Sequence, residues 1–150
     1  DVCSSDLQIS RGLAPTRTLA LRVGRVPLVG TVPAGRPIDA VENVEGEIAV
    51  DESFLPKEDS FSLRVAGNSM QGAGILDGDI VLVKKQRVAQ KGDIVVAIIG
   101  GEATVKRYFP EGNRVRLQPE NDDFEPIFVD RKSDEFRIAG KVIGLLRRLK

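Results

Sequence analysis

A lone serine, Ser69, sits in "RVAGNSMQGAGILDGDIV" (residues 64–81) between an extended apolar run and a cluster of glycines. A serine so placed is either a simple turn residue or a nucleophile held out on a tight loop. The second use needs a base within hydrogen-bond reach. The chain contains no histidine, which removes Ser-His-Asp and Cys-His arrangements and most zinc sites with them. A base for Ser69 must then be a lysine, a carboxylate or a terminal amine.

Five lysines follow Ser69 at a plausible reach: Lys84, Lys85, Lys91, Lys106 and Lys132. Lys84 and Lys85 are adjacent, so in a strand at least one faces solvent. Lys91 stands beside Gly92 in a turn, and Lys132 lies in the charged run "DRKSDE". Lys106 differs, because "EATVKRYF" reads as a strand with Thr104, Lys106 and Tyr108 on one face and Val105 and Arg107 on the other. A strand lysine beside a buried neighbourhood can be desolvated, which lowers its pKa and frees a neutral amine. Most strand lysines are solvated, however, and pattern alone leaves both readings open.

The elements that must position these groups read as strands. "VPLVGTV", "FSLRVAG", "DIVLVKK" and "DIVVAIIG" are short β-rich runs, the last two preceded by or starting at Gly-Asp. "IIGGEATVKRYF" reads as a hairpin, since Gly100-Gly101 can take the positive φ angles of a two-residue turn. "PEGNRVRLQPEN" offers another turn and strand, followed by "PIFVD". In "FRIAGKVIGLLRRL" the glycines Gly140 and Gly144 and the Ile/Val content favour a strand over a helix. No convincing helix of ten residues stands out, nor any fixed-period repeat. "LDGDIV" reads as a turn rather than a calcium loop, and "ENDDFEP" as a solvated loop without chemistry. Met70 is expected to pack beneath the serine turn, and Tyr108 and the phenylalanines in the core.

Composition bounds the function. With 150 residues the chain suits one domain with a real core. Lys plus Arg and Asp plus Glu are both 22, and zero net charge argues against a freestanding electrostatic nucleic-acid binder. No apolar run approaches the ~20 residues of a membrane span, and no secretory signal is visible. The single cysteine, Cys3, rules out an internal disulfide and fits a reducing cytoplasm. The opening "DVCSSDL" is unlike the rest: one back-translation, GACGTGTGCTCTTCCGATCT, matches the end of a common sequencing adapter. Residues 1–7 are therefore read as non-native. Residues 8–25, arginine-rich and free of acids, read as the tail of a basic element plus a linker, and 26–150 as the main domain.

Four stretches carry a resemblance: "VPLVGTVPAGRP", "LRVAGNSMQGAGILDGDIVLV", "GDIVVAIIGGEATVKRY" and "VRLQPENDDFEPI". Together they resemble the carboxy-terminal domain of LexA repressors, within the Ser-Lys self-cleaving peptidases (peptidase S24) shared with UmuD-type proteins and phage repressors. The likeness covers about residues 26–149. It implies a mostly-β domain of the LexA/signal-peptidase-like, β-clip type with little helix. It makes Ser69 of "GNSM" the nucleophile and Lys106 of "TVKR" the general base, 37 positions on (106 minus 69). The scissile bond becomes Ala34–Gly35 in "VPAG", where small residues suit a narrow cleft. Backbone N–H groups of Asn68 and Ser69 would meet the oxyanion. Asn68 and Pro33 stand at positions that vary in this family and bear on rate rather than on the assignment. The Ser-x-x-Lys spacing of β-lactamases is absent, because Gly72 stands three residues after Ser69.

The resemblance further implies a cytoplasmic repressor of the SOS response to DNA damage, cut when RecA–single-stranded-DNA filaments form. It implies a homodimer, no cofactor or metal, no membrane, and operator binding only through an N-terminal domain. "LQISRG" resembles the last strand of that domain's winged helix-turn-helix, the rest being expected upstream. Two rivals stand beside it. One is a UmuD-like accessory subunit of a translesion polymerase, which a Cys-Gly bond would suit better than Ala34–Gly35. The other is a non-catalytic dimerisation module in which Ser69 and Lys106 are structural.

Overall fold

A computed structural model of the chain describes residues 22–30 and 44–149. The readings of residues 1–7 and 8–21, and of Ala34 and Gly35, lie outside the described residues. The described chain is mostly β, with nine strands and two single 3-10 turns. In chain order the strands are β1 (Val23–Val29), β2 (Val44–Asp51), β3 (Ser60–Arg64), β4 (Ile80–Lys85) and β5 (Ile94–Ile99), then β6 (Glu102–Glu111), β7 (Arg114–Gln118), β8 (Ile127–Asp130) and β9 (Phe136–Leu146).

The chain divides into two compact units. The smaller contains residues 22–25 and Ala49–Leu55. There Glu52 N–H donates to Arg22 O at 2.9 Å, and the Asp51 carboxylate caps the turn Glu52–Phe54 through Ser53 N–H. The larger holds residues 26–30, 44–48 and 56–149. Its strands follow the order β2-β1-β3-β4-β9-β5-β6-β7-β8 in one mixed sheet.

The two-residue turn forecast at Gly100-Gly101 and the turn forecast in "PEGNRVRLQPEN" are both present. Gly100 and Gly101 both have positive φ, and Ile99 pairs with Glu102 across them. Gly112, also at positive φ, turns β6 into β7, where Glu111 pairs with Arg114. The continuous apolar run of β5 is explained by burial on both faces. Val96 and Ile98 join a core with Phe61, Leu63, Met70, Ile75, Val81, Val83 and Val105. Val95 and Ala97 join a second, with Tyr108, Val115, Leu117 and Ile138. β2, with charged residues alternating along it, has no counterpart among the sequence expectations, and neither does the parallel pairing of β1 with β3.

The terminal run is a strand, as its glycines suggested, and over most of its length it lies inside the sheet. β9 lies between β4 and β5, pairing with β5 over 136–141 and with β4 over 140–146. Only its last residues, 142–146, have one side open among the described strands. Gly140 sits where the three strands converge, opposite both Lys85 and Val96. A Cβ there would lie 2.4 Å from Lys84 O, a backbone atom that cannot step aside. We expect Gly140→Ala to destabilise the fold by about 1–3 kcal/mol, the usual cost of overpacking. Urea unfolding checks this, and an unchanged midpoint would show that the sheet absorbs the methyl group.

Candidate active site

The loop carrying Ser69 joins β3 to β4 and is pinned from within. Met70 and Ile75 bury their side chains in the core, so the loop is anchored on both sides of the short turn Gln71–Ala73. Gly67, Gly74 and Gly78 all take positive φ, the left-handed region that glycine enters without cost. The two acids of "LDGDIV" serve the loop rather than a metal. Asp77 Oδ1 accepts Gly67 N–H at 2.7 Å, and Asp79 Oδ2 accepts Leu76 N–H at 2.7 Å. Asp79 is 3% exposed and meets Arg147 with both oxygens, at 2.9 and 2.7 Å. These hydrogen bonds hold its carboxyl below the usual carboxylate range.

β6 supplies the lysine. Lys106 pairs with Val95 and Thr104 with Ala97, both partners fully buried, so the lysine stem lies over apolar surface. Only 7% of Lys106 is exposed. Its Nζ lies 3.0 Å from Ser69 Oγ, 2.7 Å from Thr104 Oγ1 and 3.2 Å from Val105 O. Three oxygens match the three N–H donors of an ammonium. They also fit a neutral amine, with Thr104 and Val105 taking its two N–H groups and the lone pair left for the Ser69 hydroxyl proton. No carboxylate among the described residues pairs with it. Burial therefore acts alone and pushes the Lys106 pKa below the ordinary lysine value.

A second loop, just after β7, brackets the serine. Glu120 N–H donates to Ser69 O at 2.8 Å, and Gly72 N–H donates to Glu120 O at 2.7 Å. Asn121 Nδ2 donates to Asn68 O at 2.8 Å. Arg107, next to the lysine on β6, holds the Glu120 carboxylate at 2.5 Å and Gly92 O at 2.6 Å. The strand carrying Lys106 and the loop carrying Ser69 are thus tied through one short segment. This corrects the reading of "ENDDFEP" as a loop with nothing to do. Its first two residues grip Asn68 and Ser69.

Ser69 and Lys106 line a cleft of about 320 Å³ with Gly30, Leu63, Val65, Met70 and Thr104 among its walls. The other lysines stay away from it. Lys84 and Lys85 lie near Glu58 and Asp59, while Lys91 and Lys132 are exposed. A larger cavity of about 780 Å³, lined by Lys85, Tyr108 and Phe136 among others, holds neither Ser69 nor Lys106. The Asn68 and Ser69 amides have no acceptor among the described residues. Thr104 was placed on the lysine's face from alternation, but its part as a lysine partner carried no sequence signal.

Residues 27–143 match the family described as Peptidase S24-like. Curated relatives include the LexA repressor of Caldicellulosiruptor saccharolyticus, 56% identical over 125 residues, which are 83% of this chain and 60% of the relative. The LexA repressor of Geotalea uraniireducens is 49% identical over 140 residues, 93% of this chain and 69% of that one. That of Ruminiclostridium cellulolyticum is 52% identical over 124 residues, 83% of this chain and 56% of that one. The chain thus spans between 56% and 69% of the length of these relatives.

The buried lysine gives stability a definite pH dependence. Below its lowered folded-state pKa, Lys106 is charged in both states and the desolvation penalty is full. Between that pKa and the unfolded value near ~10.4, only the unfolded chain holds the proton, so stability rises with pH. We expect Lys106→Met to unfold at a higher temperature than the parent at pH 7, with the gap closing toward pH 10. Melting curves at the two pH values check this. A variant that melts lower at pH 7, with a gap indifferent to pH, would mean the ammonium is well solvated where it lies.

Proposed function

The chain belongs to the Peptidase S24-like family, and from that premise we propose that it is the self-cleaving domain of a LexA-type repressor. The observation that carries the reading is the 3.0 Å contact between Ser69 Oγ and a buried lysine amine that has no counter-charge among the described residues. In the neutral state Lys106 takes the hydroxyl proton as Ser69 Oγ attacks the Ala34 carbonyl carbon. The tetrahedral oxyanion is met by the Asn68 and Ser69 amides. The Ala34–Gly35 bond then breaks, and Lys106 returns its proton to the Gly35 amine. Water hydrolyses the remaining ester.

Chain length supports the choice of bond. Gly30 lines the cleft, and Ala34 is four positions on (34 minus 30). At ~3.3–3.6 Å per residue that tether spans at most about 14 Å. A bond so tethered is presented to Ser69 at high effective concentration. RecA–single-stranded-DNA filaments are the proposed stimulus. Operator DNA, bound through an N-terminal domain, is the proposed target, in the cytoplasm. Against the UmuD-like alternative stand the LexA repressors among the relatives and the Ala34–Gly35 dipeptide. Against a purely structural pair stands the cost of burying an unpaired lysine.

Incubated alone at alkaline pH, the protein should split into fragments ending at Ala34 and starting at Gly35, read by mass spectrometry. The rate should climb with pH and level off once Lys106 is neutral, while Ser69→Ala and Lys106→Arg stay uncut, since guanidinium keeps its proton below ~12. A Lys106→Arg protein with the parent's rate and pH profile would show that another group is the base.

A homodimer is proposed along the open side of β9, where Ile143, Leu145 and Leu146 are 40%, 42% and 39% exposed. Pairing two copies there would cover a strand edge that otherwise invites aggregation. Sedimentation should find dimers at micromolar concentration, and a monomer throughout would overturn this interface.

A further inference from the structure

We infer that Asn121 is a positioning residue for the oxyanion site: its side-chain amide fixes the Asn68–Ser69 peptide and thereby aims the Ser69 N–H. This rests on the reading of Ser69 as the nucleophile. A trans peptide is planar, with its C=O and N–H pointing in opposite directions. The carbonyl of Asn68 and the amide of Ser69 belong to one such plane. Asn121 Nδ2 donates to that carbonyl at 2.8 Å, so the Ser69 N–H is directed away from the Asn121 loop. The same carbonyl accepts Gln71 N–H at 3.2 Å, which leaves the plane little freedom to rotate. The next plane is held as well, because Glu120 N–H takes the Ser69 carbonyl.

Asn121 is itself prepared for this part. Its Oδ1 accepts Asp123 N–H at 2.9 Å, and its main-chain carbonyl accepts Phe124 N–H at 3.1 Å. That turn occupies the acceptor end of the side chain, so the amide nitrogen is the end left to face Asn68. The loop is in turn fixed to the lysine's strand through Glu120 and Arg107. A donor to the carbonyl also polarises the plane and makes its N–H a better partner for negative charge. Preorganisation of this kind is what an oxyanion site requires, since an amide that must reorient during the reaction loses much of its value.

The test compares self-cleavage of the parent with Asn121→Ala and Asn121→Asp across pH. The aspartate keeps the acceptor that holds the turn and puts an anionic oxygen where the donor was, whereas the alanine removes the side-chain amide without adding charge. Both variants should lower the alkaline plateau rate by about tenfold to a hundredfold, less than the loss of an oxyanion donor outright. Asn121→Ala should leave the pH of half-maximal rate where the parent has it, because Lys106 is not touched. A parent-like plateau in Asn121→Ala would overturn the inference. So would a lower plateau accompanied by a shifted midpoint, which would indicate general loosening around the lysine. Independently of turnover, the Ser69 amide resonance should move in both variants made on a Ser69-intact chain, and an unmoved resonance counts against the inference. Ser69→Ala run in parallel separates the two claims: if it still cleaves, the peptidase reading itself fails, whatever Asn121 does.

Discussion

A lysine amine buried beside a hydroxyl, with no carboxylate among the described residues to balance it, is the constraint on which the rest of this structure depends. An ammonium in such a place is costly, and proteins meet that cost by pairing the charge or by letting the group lose its proton. Here Lys106 has three neutral oxygens around it and no counter-ion among the described residues. The arrangement tolerates the ammonium and is better suited to the amine. In a chain without histidine, desolvation is what moves this amine's pKa down from the ordinary lysine value.

Holding that lysine against Ser69 requires segments far apart in the chain. Lys106 comes from β6, Ser69 from the loop between β3 and β4, and the brace from the loop after β7. Strand β9 makes these parts one sheet, because it alone joins the β3–β4 pair to the β5–β6–β7 group. Just past it, Arg147 reaches back 68 positions to Asp79 and also donates to Gly74 O at 2.5 Å, closing the serine loop from its far side. The loop is therefore clamped by Asn121 and Glu120 at one end and by Arg147 at the other.

What could be read in the sequence was local. Gly100-Gly101 announced a hairpin, the alternation of "EATVKRYF" put Thr104 beside Lys106, and the lack of histidine narrowed the search for a base. Alternation set Lys106 apart from the four other lysines but could not show its burial, because its neighbours Val95 and Ser69 come from other segments of the chain. The partners of Asn121 were equally hidden. Its bond to Asn68 spans 53 positions, and a run of acids and amides looks the same whether it is solvated or gripping a loop. β2 escaped notice because strands with one face open to solvent mix charged and small residues, and that pattern also describes loops.

On the proposed reading, burial and tethering bear on a single equilibrium. Lys106, though 7% exposed, borders a space of about 320 Å³ that water can enter. A substrate segment lying there would expel that water and strengthen the desolvation that favours the neutral amine. The same event would bring the scissile carbonyl to Ser69, so docking and deprotonation are linked and each promotes the other. Because the tether from Gly30 is short, intrinsic affinity need not be high for docking to occur, and a modest bias against it would keep the chain whole. A partner that binds the docked state better than the undocked one could then raise the rate by no more than that difference in affinity allows. It would need to supply no chemical group of its own, because the proposed nucleophile, base and oxyanion amides all lie within this chain.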